Sequence, residues 1–253
     1  MALHFLIDGA AGALLDEPAT AGPGDAVTLT GAEAHHAATV RRVRVGEEVT
    51  LGDGRGAWLT GRVESVAPRE VVVRIEGRSD AAAPSPRVVL VQALAKGDRD
   101  ELAVQAATEL GVDEIVPWQA SRSVSRWDAA KAAKGRARWA TIAREAAKQA
   151  HRAWLPEVSE LTTTRALAQR GAASTILVLE PTASDPLSAL ELDPADTRDI
   201  VLVVGPEGGI AADELEALVA GGARLVRLGD TVLRTSTAGP AAIAVVSARL
   251  GRW

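Results

Sequence analysis

Residues 201–210 read VLVVGPEGGI: a run of branched apolar residues stops at a loop holding three glycines, a proline and one carboxylate. Gly205, Gly208 and Gly209 carry no Cβ and admit positive φ, so backbone N–H and C=O groups there can reach a flat or polar ligand directly. A tight strand-to-helix turn uses glycine in the same way. The loop is not a P-loop, because no lysine with Ser/Thr follows, and it lacks the G-x-G-x-x-G dinucleotide pattern. A second polar, glycine-marked stretch, LGDTVLRTSTAG over 228–239, brings Asp230, Arg234 and Ser236. Two such loops on one sheet make a cleft. A backbone-lined cleft suits the binding of a flat or polar small molecule.

The elements that must position these loops follow from the apolar pattern. RVVLVQAL, DEIVPW, STILVLE, DIVLVVG and ARLVRLG are apolar runs without alternation, separated by helical stretches, as in a parallel sheet covered on both faces. DRDELAVQAATELG reads as a helix with Asp98 at its cap, Asp100 and Glu101 in its first turn and Gly111 at its end. TAGPAAIAVVSARL closes the chain as a helix whose Ile243, Val245, Val246 and Leu250 suit either a core face or a dimer surface. Ligands on such sheets bind beyond the carboxyl ends of the strands. Three loops leave those ends, at 180–185, 205–210 and 229–237.

Residues 1–78 have a different grammar. Short alternating runs (AVTLT, AWLTGRVESV, EVVVRIEG) with turn signals predict a small β-barrel, with one short helix at GAEAHHAATVRRV. His35 and His36 read as structural, with His36 facing the barrel. GDGRG at 52–56 has nucleotide-loop glycine spacing but no strand-loop-helix context, so it reads as a hairpin turn at Asp53-Gly54. Residues 79–86, small and proline-bearing, predict a linker to a domain over 87–253.

A hydrophobic share of 47% over 253 residues supplies a substantial core, and the absence of cysteine excludes disulfides and thiolate metal sites. Four histidines leave little for a metal, and none is expected. With no apolar run of ~18–20 residues, a cytoplasmic protein is expected. The net charge of −5 hides an asymmetry: residues 121–152 hold nine basic and two acidic side chains, net +7, so the remainder carries −12. Such a segment is either a phosphate-binding patch or a solvated helix face. Trp118, Trp127, Trp139 and Trp154 are interleaved with it, and one of the four is expected to stack on a base if that patch binds nucleic acid.

GPEGGI…DELEAL followed by LGDTVLRTSTA resembles the ribosomal small-subunit uridine N3-methyltransferases of the SPOUT class. EAHHAATVRRVRVGEEVTLGDGRG, KGDRDELAVQAATELGVDEIVPWQASRSV and KQAHRAWLPEV resemble further stretches of that family, in order, so the likeness spans nearly the whole chain. Departures are Ser236 and Lys148, where a glutamate is usual, and Ala106, where a lysine is usual; the arginine common near the amino terminus stands as His4 or not at all.

The resemblance implies a PUA-like RNA-binding barrel, a catalytic domain with a deep carboxyl-terminal trefoil knot, and a homodimer. It implies S-adenosylmethionine as cofactor and N3 of a uridine near the 3′ end of 16S ribosomal RNA, in the decoding region, as target. Another SPOUT reaction, on transfer RNA or a ribose 2′-oxygen, and a non-enzymatic RNA-binding protein are the alternatives. The implied cofactor residues are Leu179, Glu180, Pro181, Gly205, Pro206, Glu207, Gly208, Gly209, Ile210, Leu228, Gly229, Val232, Leu233 and Ser236. Arg122, Gln149 and Arg152 are the implied RNA contacts; Lys96 and Arg42 are further candidates for RNA contact, or are solvated. Arg234 can stabilise a uridine anion, hold a phosphate, or pair with Asp230 or Glu207. Glu207 can bind the cofactor's amino groups, act as base, or sit at a helix N-terminus. Ser236 can position a water or the ribose, or cap the last helix.

Overall fold

The computed structural model describes residues 2–7, 19–193 and 196–253. Residues 1 and 8–18 of the expected barrel lie outside the described residues. The chain divides into two compact units: residues 1–83 with 147–155, and residues 84–146 with 156–253. The segment 147–155, which the sequence pattern assigned to the carboxyl-terminal domain, therefore belongs to the first unit.

In the first unit a five-stranded sheet has the order β1-β3-β4-β5-β2, from β1 (Leu3–Leu6), β2 (Ala26–Thr30), β3 (Glu48–Gly52), β4 (Ala57–Ala67) and β5 (Glu70–Asp80). β5 runs into the expected linker. All five strands contribute to one core, which includes Phe5, Leu29, Leu51, Leu59, Val73 and Ile75. The short helix α1 (Gly31–His35) widens into a π-helical turn over His36–Arg41, which ends at Arg42 in the left-handed region, φ 55°. The His36 ring meets Phe5 edge-on at 5.9 Å.

GDGRG is a turn, held from both sides. Asp53 is fully buried and its Oδ1 accepts from the N–H groups of Arg55 and Ala57. The 147–155 segment adds two backbone bonds, Gly56 N to Ala153 O and Leu155 N to Gly54 O. At Gly56, φ is +107° and a Cβ would lie 2.6 Å from Ala81 O, so no other residue fits.

The same segment delivers Lys148 to the interior. Its Nζ lies 2.5 Å from Glu33 Oε1, with side chains 3% and 6% exposed. Glu33 Oε2 also accepts from Leu6 N. The lysine at a position where the family usually has glutamate thus answers a buried carboxylate.

The second unit is a six-stranded sheet of order β11-β9-β10-β6-β7-β8, with every pairing parallel. Its strands are β6 (Val88–Ala93), β7 (Glu114–Trp118), β8 (Glu157–Val158), β9 (Ser174–Leu179), β10 (Asp199–Val204) and β11 (Arg224–Val226). The helices are α2 (Arg99–Glu109), α3 (Ala129–Gln149, whose last turn counts with the first unit), α4 (Thr164–Gln169), α5 (Ala212–Ala220) and α6 (Thr235–Arg249). β6 and β7 are buried at every residue, which explains their unalternating sequence. Apolar residues on the two faces feed two separate clusters. In α6, Ile243 and Val246 are buried in the chain's own core, so only half-buried Val245 and Leu250 remain of the residues matched to a dimer surface.

Breaking a buried ion pair by removing one partner strands the other charge, so Glu33→Ala is expected to lower unfolding free energy by about 3–5 kcal/mol. Glu33→Leu combined with Lys148→Met is expected to recover most of that loss. Urea denaturation of the two variants checks both, and a double variant no more stable than Glu33→Ala would show that the pair is not a coupled unit.

Candidate active site

β11, β9 and β10 are neighbours in that order, so the loops leaving their carboxyl ends lie side by side. They enclose a cavity of about 410 Å³. The first loop contributes Leu179, Glu180 and Pro181; the second Gly205, Pro206, Glu207, Gly209 and Ile210; the third Leu228, Gly229, Val232, Leu233 and Arg234. Of the residues implied by sequence, Gly208 and Ser236 are not in the lining. A Cβ on Gly208 would lie 3.4 Å from Arg122 Cβ, so that residue faces Arg122. Ser236 lies within the first turn of α6, and Arg234, with extended backbone at the cap position, starts the helix.

Each glycine of the second loop has its own reason. A Cβ on Gly205 would come within 2.6 Å of Ile210 Cγ1, so its absence lets Ile210 fold back beneath the loop. Gly209 has φ +72°, which favours glycine, and its N–H closes a turn onto Pro206 O at 2.9 Å. Gly229 differs: no atom lies within 4 Å of where its Cβ would be, so it leaves open space on the third loop.

The charged groups separate into engaged and unengaged. Glu207 Oε1 accepts from Lys96 N and Arg99 Nη1, both at 3.0 Å. Partial burial pushes its carboxyl up, but hydrogen bonds from its own N–H, Lys96 N–H and the Arg99 guanidinium outweigh this and hold it below the usual carboxylate range. It stays ionised near neutrality. Glu180 Oε1 accepts from Thr182 N and Oγ1. Asp230 pairs with Arg227 at 2.6 Å. Neither carboxylate considered as a partner for Arg234 reaches it: among the described residues, no side chain bonds or pairs with its exposed guanidinium.

Of the implied RNA contacts, Arg122 donates from Nη1 to Gly208 O at 3.2 Å, and Lys96 meets the same loop through its backbone N–H. Arg42, Gln149 and Arg152 belong to the first unit. The basic segment is less exposed as charge than its composition suggests. Lys131, Arg136, Arg138 and Lys148 are all in ion pairs. Of the four tryptophans, Trp118 and Trp139 are buried, Trp127 packs over Gly135, and half-buried Trp154 donates from Nε1 to Ala81 O.

Sequence reading missed Arg99, Val204, Arg227, Thr231, Thr235 and Ala238 of the lining. Arg99 had a signal, as a cation at the start of a helix that follows a strand end. Thr235 had none, because its buried contacts join residues distant in sequence. Among the described residues, no group of three His, Asp or Glu side chains is placed to hold a metal, and no helix is long and apolar enough to cross a membrane.

A model for an RNA methyltransferase domain matches residues 83–247, and one for an RNA methyltransferase PUA domain matches residues 29–76. Ribosomal RNA small subunit methyltransferase E of Mycobacterium bovis is 43% identical over 235 residues, covering 91% of this chain and 89% of the relative. The chain belongs to the ribosomal RNA small subunit methyltransferase E family. The family's member from Neisseria gonorrhoeae, solved bound to S-adenosylmethionine, superposes with a TM-score of 0.84 at 29% identity, covering 98% of both chains. A methyltransferase of Legionella pneumophila, solved with the same cofactor, gives a TM-score of 0.83 at 28% identity, also covering 98% of both chains. Family membership accounts for both units: the PUA-like sheet and the SPOUT-type parallel sheet.

Gly229→Leu adds a side chain where no protein atom stands. The expected result is S-adenosylmethionine affinity lower by at least about tenfold, measured calorimetrically. The thermal midpoint should stay within about 2 °C of wild type. Unchanged affinity would remove the cofactor from this cavity.

Proposed function

We propose that this chain transfers a methyl group from S-adenosylmethionine to N3 of a uridine near the 3′ end of 16S ribosomal RNA, in the decoding region. The coarser statement, S-adenosylmethionine-dependent methylation of small-subunit ribosomal RNA, follows from family membership. The single observation supporting the finer one is the unengaged guanidinium of Arg234 on the rim of a cavity whose carboxylates are all engaged.

The cavity fits the cofactor. Gly205 and Gly209 expose backbone, while Leu179, Leu228, Val232 and Leu233 offer apolar surface for a nucleoside. Bound there, the sulfonium supplies an electrophilic methyl group. N3 of uridine becomes nucleophilic only when its proton has left, and the resulting charge spreads over N3 and the two flanking oxygens. Glu207, held ionised by Lys96 and Arg99, orients the second loop and takes no proton. Arg234 offers a planar, permanently charged fork to the anion, so the proton departs to solvent without a strong protein base. Ser236, where relatives carry glutamate, is compatible with this. Arg122 and Lys96, at the glycine loop, and Arg42, Gln149 and Arg152, in the first unit, are the RNA contacts on this reading. It also takes the protein to be a cytoplasmic homodimer with the carboxyl-terminal knot of its class.

Single-turnover methylation with RNA and cofactor saturating is expected to fall in the order wild type, Arg234→Lys, Arg234→Ala, the last by about 10²–10³. The alanine deficit should narrow as pH rises, because hydroxide then supplies the uridine anion. A wild-type rate for the alanine variant, or a deficit equal at every pH, would remove Arg234 from the role of anion stabiliser. Mass spectrometry of 16S ribosomal RNA, with and without the protein, locates the methyl group. A product methylated at a ribose or in transfer RNA would overturn the N3 assignment.

A further inference from the structure

Gln92, at the carboxyl end of β6, is fully buried, yet its amide is only half satisfied. Nε2 uses both hydrogens, donating to Ala93 O at 3.1 Å and to Thr235 Oγ1 at 2.9 Å. Oε1 has no partner. Flipping the amide would set Oε1 against the Ala93 carbonyl and turn the Thr235 hydrogen away from Gly205 O, so the observed orientation makes more bonds. Thr235 Oγ1 donates in turn to Gly205 O at 2.9 Å, and Thr235 is itself 7% exposed.

A buried acceptor left unpaired destabilises a fold, and a methionine of similar shape would avoid that penalty. Stability therefore does not account for a glutamine here. What the amide supplies is a donor aimed at Thr235. A hydroxyl has one hydrogen and rotates to suit its neighbours. With Gln92 donating into its oxygen, the Thr235 hydrogen is directed onto Gly205 O. That carbonyl precedes Pro206, which has no N–H, and it begins the loop that turns at Gly209. Ile210 fills the other side of Gly205, so this peptide is gripped on two sides.

We infer that Gln92 is a positioning residue for cofactor binding: through Thr235 it fixes the Gly205 carbonyl and so preorganises the 205–210 loop. The inference rests on the reading of this cavity as the cofactor site. Fixing the loop before binding removes an ordering cost from association, so its loss shows in affinity and not in the chemical step.

The test uses calorimetric titration of S-adenosylmethionine into the full-length protein, with thermal unfolding and saturating kinetics on the same samples. Gln92→Met is expected to weaken binding about tenfold. It should leave the thermal midpoint equal or higher, and keep kcat at saturating cofactor within about twofold. Thr235→Ser, which keeps the hydroxyl, should bind as wild type. Thr235→Val should weaken binding, and adding Gln92→Met to it should weaken it no further, since both act through one bond. The inference is overturned if Gln92→Met binds normally while Gly229→Leu does not. It is also overturned if the loss of affinity is matched by a lower thermal midpoint, since that marks a merely structural role. If Gly229→Leu also binds normally, the cavity assignment fails and the inference fails with it.

Discussion

The parallel register that seats β10 between β9 and β6, with β11 on the far side of β9, is the constraint on which the site depends. Parallel strands present all their carboxyl ends at one edge, and the order β11-β9-β10 makes three of those ends adjacent although β9 and β11 are separated in sequence by β10. No side chain could bring loops 179–181, 205–210 and 228–234 together if that order changed. Burial fixes the register: a slip by one residue would exchange the two apolar faces of β9 and β10, which feed different core clusters.

Within that frame the polar groups divide the work. The Lys96 backbone N–H and the Arg99 and Arg122 guanidinium groups bond to the glycine loop, through Glu207 and the Gly208 carbonyl. Gln92 and Thr235 hold the same loop from beneath, at Gly205. Arg234 is left out of both sets. A loop held by several weak bonds needs little rearrangement to receive a ligand, and a guanidinium without a fixed partner can be given to a substrate without first breaking an ion pair. Glu207 illustrates how surroundings tune a residue that sequence places in the loop: its donors lower its proton affinity.

Much of this was legible from the sequence because it is local. Unalternating apolar runs, the helix signals around Asp98 and Gly111, the GDGRG turn and the three strand-end loops each depend on neighbours in the chain. What was not legible depends on contacts far apart in sequence. β8 has only two residues, too few for a pattern. The 147–155 segment sits in the first unit because Lys148 answers Glu33 and the 153–155 backbone clamps the GDGRG turn, and neither partner is visible from the other's surroundings. At least four cations of the 121–152 segment are in ion pairs, which its net charge does not reveal. Gln92 looked like one polar residue in a buried strand, and only the fold shows its amide turned toward Thr235.

The central claim is that one small-molecule site is built from three neighbouring strand ends. Hydrogen exchange followed by mass spectrometry, with and without S-adenosylmethionine, tests it directly. Protection gained on binding should concentrate in peptides covering 179–185, 205–210 and 228–238, with the PUA-like sheet unchanged. Protection centred instead on the groove between α4 and α5, with these three loops unaffected, would contradict the account.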